Sequence, residues 1–443
     1  MAYEPIDDDE LAGIFAGLDA FGRLGLAVSG GVDSVALMHL AMRWRTLSGL
    51  SRPEFVVLTV DHGLRPGSGD EAAWVARQAD LLGLAHETLC WRGRKPESAI
   101  QETARSARYR LLAGAARDNA LQAILTGHHL DDQGETVLMR LARAAGVDGL
   151  SAMAGETWLN GVIIRRPFLA IAKGRLEANL RVMGVRWIED PSNADPAFER
   201  VRLRRAGGLL ADLGLVPEHL ALTARRMQRA RAALEHQTTQ YLLGEASLKD
   251  CLAVAGFARL SFERLVAEPE EIRLRALARL INAVGGGRSP RLTKLEKLLE
   301  HIARAGPADG GWTLGGCQLA RVDGALEITR ESGRCGLDTI TLRPGRTTSW
   351  DGRFEVGLAP DASGPLDVGP LSASGRAELR AHIPPGVPLR AAETVPCFRL
   401  DGDILALPQF GYITTTGGKT NPLATACRSR FANPALSAIS RTP

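Results

Sequence analysis

The first half of the chain alternates short apolar runs with longer stretches of helical spacing. Leu24-Gly25-Leu26-Ala27-Val28 is continuous and apolar, and Glu54-Phe55-Val56-Val57-Leu58-Thr59-Val60 is apolar and rich in β-branched residues. Leu121–Thr126 and Ile163–Leu169 repeat the pattern, and His86–Cys90 is a weaker version of it. Uninterrupted runs of this length read as strands buried on both faces, the mark of a parallel sheet. Between them, apolar residues recur every three or four positions. That spacing predicts a short leading helix within residues 1–23, then helices from Asp33 or Ser34 to Arg45, Asp70 to Leu82, Ser98 to Arg117, from the turn after Thr126 to Ala144, and Lys173 to Met183. Strands alternating with helices predict an α/β fold over residues 1–212, a doubly wound and mostly parallel sheet with helices on both faces.

The pattern then changes. Pro217 to His301 is helical in spacing until Gly285-Gly286-Gly287 breaks it, and Gly310 to Arg330 switches to strand alternation with turns at Gly315-Gly316 and Asp323-Gly324. Residues 333–443 are rich in Gly and Pro, with short strand-like runs around Asp401-Gly402, and the stretch from Ala424 reads as loose. The expected organisation is therefore three domains: 1–212, a helical domain at 213–332 ending in a hairpin, and a small β-rich C-terminal domain at 333–443.

At 443 residues the chain exceeds one ordinary core, which agrees with several domains. Apolar content of 45% and charged content of 23% are those of a globular protein. No apolar run is long enough to span a bilayer, and Met1-Ala2-Tyr3-Glu4 followed by three aspartates does not read as a signal peptide. The six cysteines are scattered without a C-x-x-C pair, which speaks against zinc ribbons, iron–sulfur clusters and redox pairs and points to a reducing, cytoplasmic location. Net charge is only +4, so charge distribution matters more than its total. The basic residues are nearly all Arg, which suits bidentate phosphate contacts and equally follows from a GC-rich genome.

The candidate chemistry sits at strand ends. Ser29-Gly30-Gly31-Val32-Asp33-Ser34 joins the first strand to the first long helix. Two adjacent glycines and a helix N-terminus suit a phosphate or pyrophosphate. No Lys follows the glycines, so the loop is not of the Walker type. Asp33 would repel phosphate unless Mg²⁺ lay between them, so its presence implies a metal-bound nucleotide. The plain alternative is a Gly-rich turn with a serine cap. The second strand ends in Asp61-His62-Gly63-Leu64-Arg65, where open α/β sheets place ligands. Arg105 and Arg108 share a helix face, either solvated or gripping phosphate. The third polar turn, Gly127-His128-His129-Leu130-Asp131-Asp132-Gln133-Gly134-Glu135-Thr136, offers adjacent carboxylates for Mg²⁺, or merely acids at a helix start with ordinary turn histidines. Asp131 and Asp132 remain alternatives as ligands on this reading. Phe198–Arg205 is the densest basic cluster.

Ser29–Ser34 resembles the pyrophosphate-loop signature of ATP pyrophosphatases. Together with Asp61–Arg65, Ala104–Tyr109, the Thr126–Thr136 turn and Glu189-Asp190-Pro191-Ser192-Asn193, in that order, it resembles the bacterial tRNA(Ile)-lysidine synthetases over the N-terminal 205 residues or so. The C-terminal half is similar only in layout. Gly134 and Val201 depart from the family's usual small apolar residue and Asn. The resemblance implies an adenine nucleotide alpha hydrolase-like fold. It also implies ATP-dependent adenylation of the wobble cytidine of a CAU-anticodon isoleucine tRNA, followed by displacement of AMP by free L-lysine. It assigns Ser29, Gly30, Gly31, Val32, Asp33, Ser34, Asp61 and His62 to the nucleotide, Asp33 and Asp132 to Mg²⁺, and Asp33, Asp132 and Arg105 to catalysis. Asp132 or Glu135 could instead receive the lysine ammonium, and the Arg200–Arg205 cluster would carry tRNA. A homodimer is one open option, and no membrane partner is expected. The competing readings are another tRNA-modifying member of the superfamily, such as a thiolase, and a tRNA-binding protein without catalysis. A thiolase would be expected to bring cysteines to the site, and these six are not so placed.

Overall fold

The computed structural model describes residues 3–49, 51, 53–63, 67–93, 100–189, 199–304, 311–333, 337–416, 419–433 and 436. The chain forms two compact units, Met1–Arg231 and Ala232–Pro443. The first runs α1 (Asp8–Ile14), β1 (Arg23–Ala27), α2 (Val32–Leu47), β2 (Glu54–Asp61), α3 (Ser68–Leu81), β3 (Ala85–Cys90), α4 (Ile100–Asp118), β4 (Ala123–Thr126), α5 (Leu130–Leu141) and α6 (Val147–Leu150). It continues with β5 (Glu156–Leu159), β6 (Val162–Arg165), α7 (Lys173–Val182), α8 (Glu199–Arg205), α9 (Gly207–Asp212) and the first half of α10 (Pro217–Leu243).

The sheet order is β3-β2-β1-β4-β6-β5, with every pair parallel except β5 against β6. The chain winds outward from β1 through β2 to β3, then returns to the other side of β1 as β4. The topological switch point thus lies between β1 and β4, and the carboxyl ends of those two strands form the crevice where such sheets bind ligands. The apolar runs are continuous because successive residues serve opposite layers. Phe55 and Val57 of β2 pack with Leu11, Phe15, Leu37, Met38, Val75 and Leu176 on one face, while Val56 and Leu58 pack with Tyr109, Leu112 and Ala116 of α4 on the other. Each such side chain contributes on the order of 1.5–3 kcal/mol of burial.

The antiparallel edge strand β5 is absent from the sequence expectation. It forms a hairpin with β6 through Asn160 and Gly161, both at positive φ (51° and 83°). Asn-Gly is the turn pair that matches the twist of a two-residue hairpin.

The second unit has helices at Leu248–Ala255, Phe262–Ala267, Glu270–Val284 and Leu292–Arg304. A strand, Ala258–Ser261, interrupts the expected helical stretch and pairs with Ala325–Arg330 of the predicted hairpins. The C-terminal part is β-rich as expected, with Pro396–Leu400 and Asp403–Leu407 paired across Asp401-Gly402. The end of the chain is less loose than its composition suggests, since Cys427–Phe431 pairs with Phe354–Leu358. Inside this unit Asp351 bridges two buried arginines, accepting from Arg330 Nη2 at 2.9 Å and from Arg353 Nε at 2.6 Å. Arg353 is fully buried and also donates to the Thr394 carbonyl at 2.6 Å. No helix among the described residues is long and apolar enough to cross a membrane.

Candidate active site

The loop after β1 and the turn after β4 meet at the switch point. Gly30 takes φ +93°, and its carbonyl accepts from Ile188 N at 2.9 Å. A Cβ at Gly30 would lie 2.7 Å from Ile188 Cδ1, so the loop needs glycine there both for conformation and for space. Gly31 is the N-cap of α2 and supplies no side-chain cap, which leaves the helix start to a ligand. Ser34 braces the loop from within. Its Oγ accepts from Ser29 N at 3.1 Å and donates to the Gly31 carbonyl at 2.9 Å. Val32 opens the helix and is buried.

Asp33 follows in the first turn of α2 and faces the second turn. Gly127 permits this approach, because a Cβ there would lie 2.6 Å from the Asp33 carbonyl oxygen and 3.1 Å from Ser34 N. His129, 1% exposed, stands between carboxylates from both helices. Its Nε2 is 3.5 Å from Asp33 Oδ2 and 3.5 Å from Asp132 Oδ2, and its Nδ1 is 3.4 Å from Asp131 Oδ2. Burial opposes its charge, but the bonds to Asp131 and Asp33 and the charge of Asp132 outweigh burial and raise its pKa to about 10. The ring also lies 3.4 Å from Asp132 N as the N-cap of α5. A doubly protonated ring cannot accept there, so the contacts to the carboxylates are the stronger description. Asp131 accepts from Lys173 N at 2.9 Å; burial pushes its pKa up, and the bonds from His129 and Lys173 pull it below the ordinary value.

The neighbouring His128 behaves oppositely. Burial, with Arg108, Arg166 and Arg105 nearby, outweighs Asp132 and lowers its pKa to about 3. Its Nδ1 is 2.8 Å from Thr126 Oγ1.

Asp132 and Glu135 form one acidic face of α5, and α8 lies against it. Arg200 Nη1 is 3.3 Å from Asp132 Oδ1, and Arg204 Nε is 2.6 Å from Glu135 Oε1. Burial still raises the Glu135 pKa against the pull of Arg204. Two arginines of the cluster expected to carry tRNA are therefore engaged inside the protein. A cavity of about 70 Å³ is lined by Ser29, His62 and Arg108 beside the loop. Arg105 is exposed, with its guanidinium 5.2 Å from the Tyr109 ring centroid. Asp61 Oδ1 accepts from Gly63 N at 2.8 Å, and the His62 ring meets Trp91 edge-on at 6.1 Å. Leu64-Arg65 and Asp190-Pro191-Ser192-Asn193 lie outside the described residues.

The structure thus brings Asp33, Asp131, Asp132 and the loop together and sets His62 by Arg108 rather than by Arg105. His129, Gly127 and Ile188 carry roles that the sequence pattern does not assign. A histidine pair next to a glycine is the available signal, but adjacency alone does not say which ring faces which charges.

Among the described residues, Asp33 Oδ1 is buried with no hydrogen-bond partner. An orphaned carboxylate oxygen costs free energy unless something binds it. With Asp33 Oδ2 and Asp132 Oδ2 sharing one imidazole nitrogen, the orphaned Oδ1 and the neighbouring carboxylate fit Mg²⁺, which takes one or two carboxylates plus substrate phosphates.

Comparison with known proteins bears on the same regions. The family described as "PP-loop domain" matches residues 7–207, and the one described as "TilS substrate binding domain" matches residues 260–327. The tRNA(Ile)-lysidine synthase of Bradyrhizobium sp. (strain BTAi1) is 45% identical over 328 residues, covering 73% of this chain and 91% of that protein. That of Ruegeria pomeroyi is 37% identical over 401 residues, covering 88% and 89%. That of Wolbachia pipientis wMel is 33% identical over 409 residues, covering 91% and 92%.

Proposed function

The chain belongs to the tRNA(Ile)-lysidine synthase family, and on that basis we propose that it ligates L-lysine to C2 of the wobble cytidine of CAU-anticodon isoleucine tRNA, through an adenylated tRNA. The C2 carbonyl oxygen attacks the α-phosphorus of ATP, and the bond to the bridging oxygen breaks with loss of pyrophosphate. An amine of lysine then attacks C2, loses a proton, and AMP departs with the former carbonyl oxygen. The observation that carries the reading is the pair of carboxylates, Asp33 inside the phosphate-cradling loop and Asp132 opposite it, sharing His129.

Each residue's part follows from its surroundings. The loop amides and the start of α2 hold the polyphosphate. Arg108 and His62, lining the cavity with Ser29, supply positive charge and shape beside it. Asp61 shapes the end of β2 through its bond to Gly63. Asp33 and Asp132 would hold Mg²⁺, which neutralises charge building on the departing pyrophosphate. Arg105, exposed on α4, can take a phosphate of the bound RNA. Docking the lysine ammonium on Asp132 or Glu135 requires exchange with Arg200 or Arg204. With Arg200 and Arg204 engaged by carboxylates, the exposed Arg202 and Arg205 of the cluster and the exposed Arg225, Arg226 and Arg229 of α10 are the tRNA contacts to test. The division at 212 and 332 into catalytic, helical and β-rich domains, and a cytoplasmic location, belong to this proposal.

The test is incorporation of radiolabelled lysine into acid-insoluble tRNA. Label should enter only with ATP and Mg²⁺, survive mild alkali that strips aminoacyl esters, and map to the wobble cytidine. Entry of sulfur or ammonia instead, or tRNA retention without pyrophosphate release, overturns the reading.

A further inference from the structure

The metal carboxylates come from different helices, Asp33 from the first turn of α2 and Asp132 from the first turn of α5. Nothing in either helix fixes their separation. Two like charges drawn to one crevice repel each other, and the repulsion grows as solvent is excluded. Backbone packing at Gly127 brings the two turns together, and His129 N donates to Asp132 Oδ2 at 3.2 Å, but that bond orients Asp132 alone and does not tie it to Asp33. Among the described residues, one side chain touches both. His129 Nε2 is equidistant from Asp33 Oδ2 and Asp132 Oδ2, at 3.5 Å. Its other nitrogen is held by Asp131 at 3.4 Å, and Asp131 is itself fixed by the Lys173 amide at 2.9 Å. The chain Lys173 N, Asp131, His129, then Asp33 and Asp132 therefore runs from a helix start on one side of the crevice to both metal carboxylates. The ring is 1% exposed, so its contacts are with protein and not with solvent.

We propose that His129 is a positioning residue, a cross-brace whose Nε2 sets the spacing at which Asp33 and Asp132 grip one divalent cation. Among the described residues Asp33 Oδ1 has no partner and would be open to the cation, Asp132 Oδ1 would have to give up Arg200 at 3.3 Å, and the imidazole holds Oδ2 of each carboxylate. This arrangement matches the outer-shell partners that orient metal ligands generally, here with a single ring serving two ligands. The inference rests on the reading of Asp33 and Asp132 as Mg²⁺ ligands.

Amide side chains separate the two ring nitrogens. In His129→Gln the amide nitrogen falls near the place of Nε2, and in His129→Asn near that of Nδ1. The measurement is binding of Mn²⁺, by the loss of the free-ion electron paramagnetic signal, to full-length protein with a non-hydrolysable ATP analogue. Thermal melting of each variant runs alongside. The Gln variant should keep Mn²⁺ affinity within a few-fold of the parent, while the Asn and Ala variants lose about tenfold or more, the range seen for outer-shell partners. Pyrophosphate release by the Asn variant should recover at raised Mg²⁺. Equal Mn²⁺ affinity in all variants overturns the proposal. So does a loss that follows the fall in melting temperature with no difference between Gln and Asn. If the parent protein itself binds no Mn²⁺ with the nucleotide analogue, the metal reading fails and not the brace alone.

Discussion

Gly127→Ala tests whether the close approach of the two turns is what makes the site. Gly127 is not at positive φ, so the added methyl meets a problem of space and not of backbone strain. Its Cβ would lie 2.6 Å from the Asp33 carbonyl oxygen, 2.8 Å from the carbonyl carbon and 3.1 Å from Ser34 N. All three are backbone atoms at the start of α2, so no rotamer change relieves them. A carbon against a carbonyl oxygen rests at about 3.3 Å or more, so the turns must part by roughly 0.7 Å. Overpacking of this kind costs about 1–3 kcal/mol of stability. The larger effect should be on chemistry, since Asp33 moves relative to Asp132, and misplacements near 1 Å can cost about a hundredfold in rate. Pyrophosphate release with tRNA, measured well below the melting temperature, should therefore fall roughly tenfold to a hundredfold. Gly114→Ala is the control. Its Cβ meets nothing within 4 Å inside α4, so it should stabilise the helix and leave turnover unchanged. Parent-level turnover in a folded Gly127→Ala protein would refute the argument that contact between the turns sets the site.

Other expectations follow from charges. Arg204→Ala should cost about 1–3 kcal/mol of stability in chemical denaturation, because it leaves the buried Glu135 carboxylate without the guanidinium at 2.6 Å. Arg225→Ala with Arg229→Ala, both at exposed positions on α10, should leave melting unchanged but weaken tRNA binding and flatten its salt dependence by about 0.9 for each phosphate no longer neutralised; an unchanged slope would exclude them from the RNA surface. His39 is buried in α2 and burial holds its pKa below the ordinary 6.5, so it is neutral in the folded chain and takes up a proton on unfolding as pH falls through 6.5. Stability should drop at about 1.4 kcal/mol per pH unit from that one group between the unfolded and folded pKa values, and His39→Leu should remove that share of the acid slope.

The sheet, its winding and the phosphate loop are legible in the sequence because each depends on local pattern. A continuous apolar run of strand length reads as a strand buried on both faces, and Ser29-Gly30-Gly31 before a helix has few uses. Strand β5 carries a signal of its own in Asn160-Gly161, but Glu156–Leu159 before that turn is short and half exposed, so the apolar run at Ile163 outweighs it. The strand Ala258–Ser261 is a different case. Its residues fit a helix equally well, and only pairing with Ala325–Ile328, far along the chain, makes it a strand. The site divides in the same way. Asp33 and Asp132 stand out by type and place. The engagement of Arg200 and Arg204 with Asp132 and Glu135 does not, because an Arg-rich segment reads alike whether it faces solvent or closes on carboxylates from another helix.

The turn after β4 shows how much chemistry such long-range placement decides. His128 and His129 are consecutive, with His129 in extended backbone at φ −126° and ψ −176°. Side chains alternate sides along extended chain. Burial, helped by the charges of Arg108, Arg166 and Arg105, outweighs Asp132 and keeps one ring neutral, its pKa lowered to about 3; around the other, Asp131, Asp33 and Asp132 outweigh burial and keep it cationic, its pKa raised to about 10. The peptide between them divides the crevice into a half richer in arginines and a half richer in carboxylates, with Asp132, whose charge reaches both rings and which pairs with Arg200, on the line between them. The proposed reaction needs both halves at once. Polyphosphate and the RNA backbone require the first, and a divalent cation and an amine require the second. The start of α2 spans that border, with Ser29 beside Arg108 at one end of the loop and Asp33 against His129 at the other. On the proposed function, the short loop from Ser29 to Asp33 would thus present phosphate to arginines at one end and metal to carboxylates at the other.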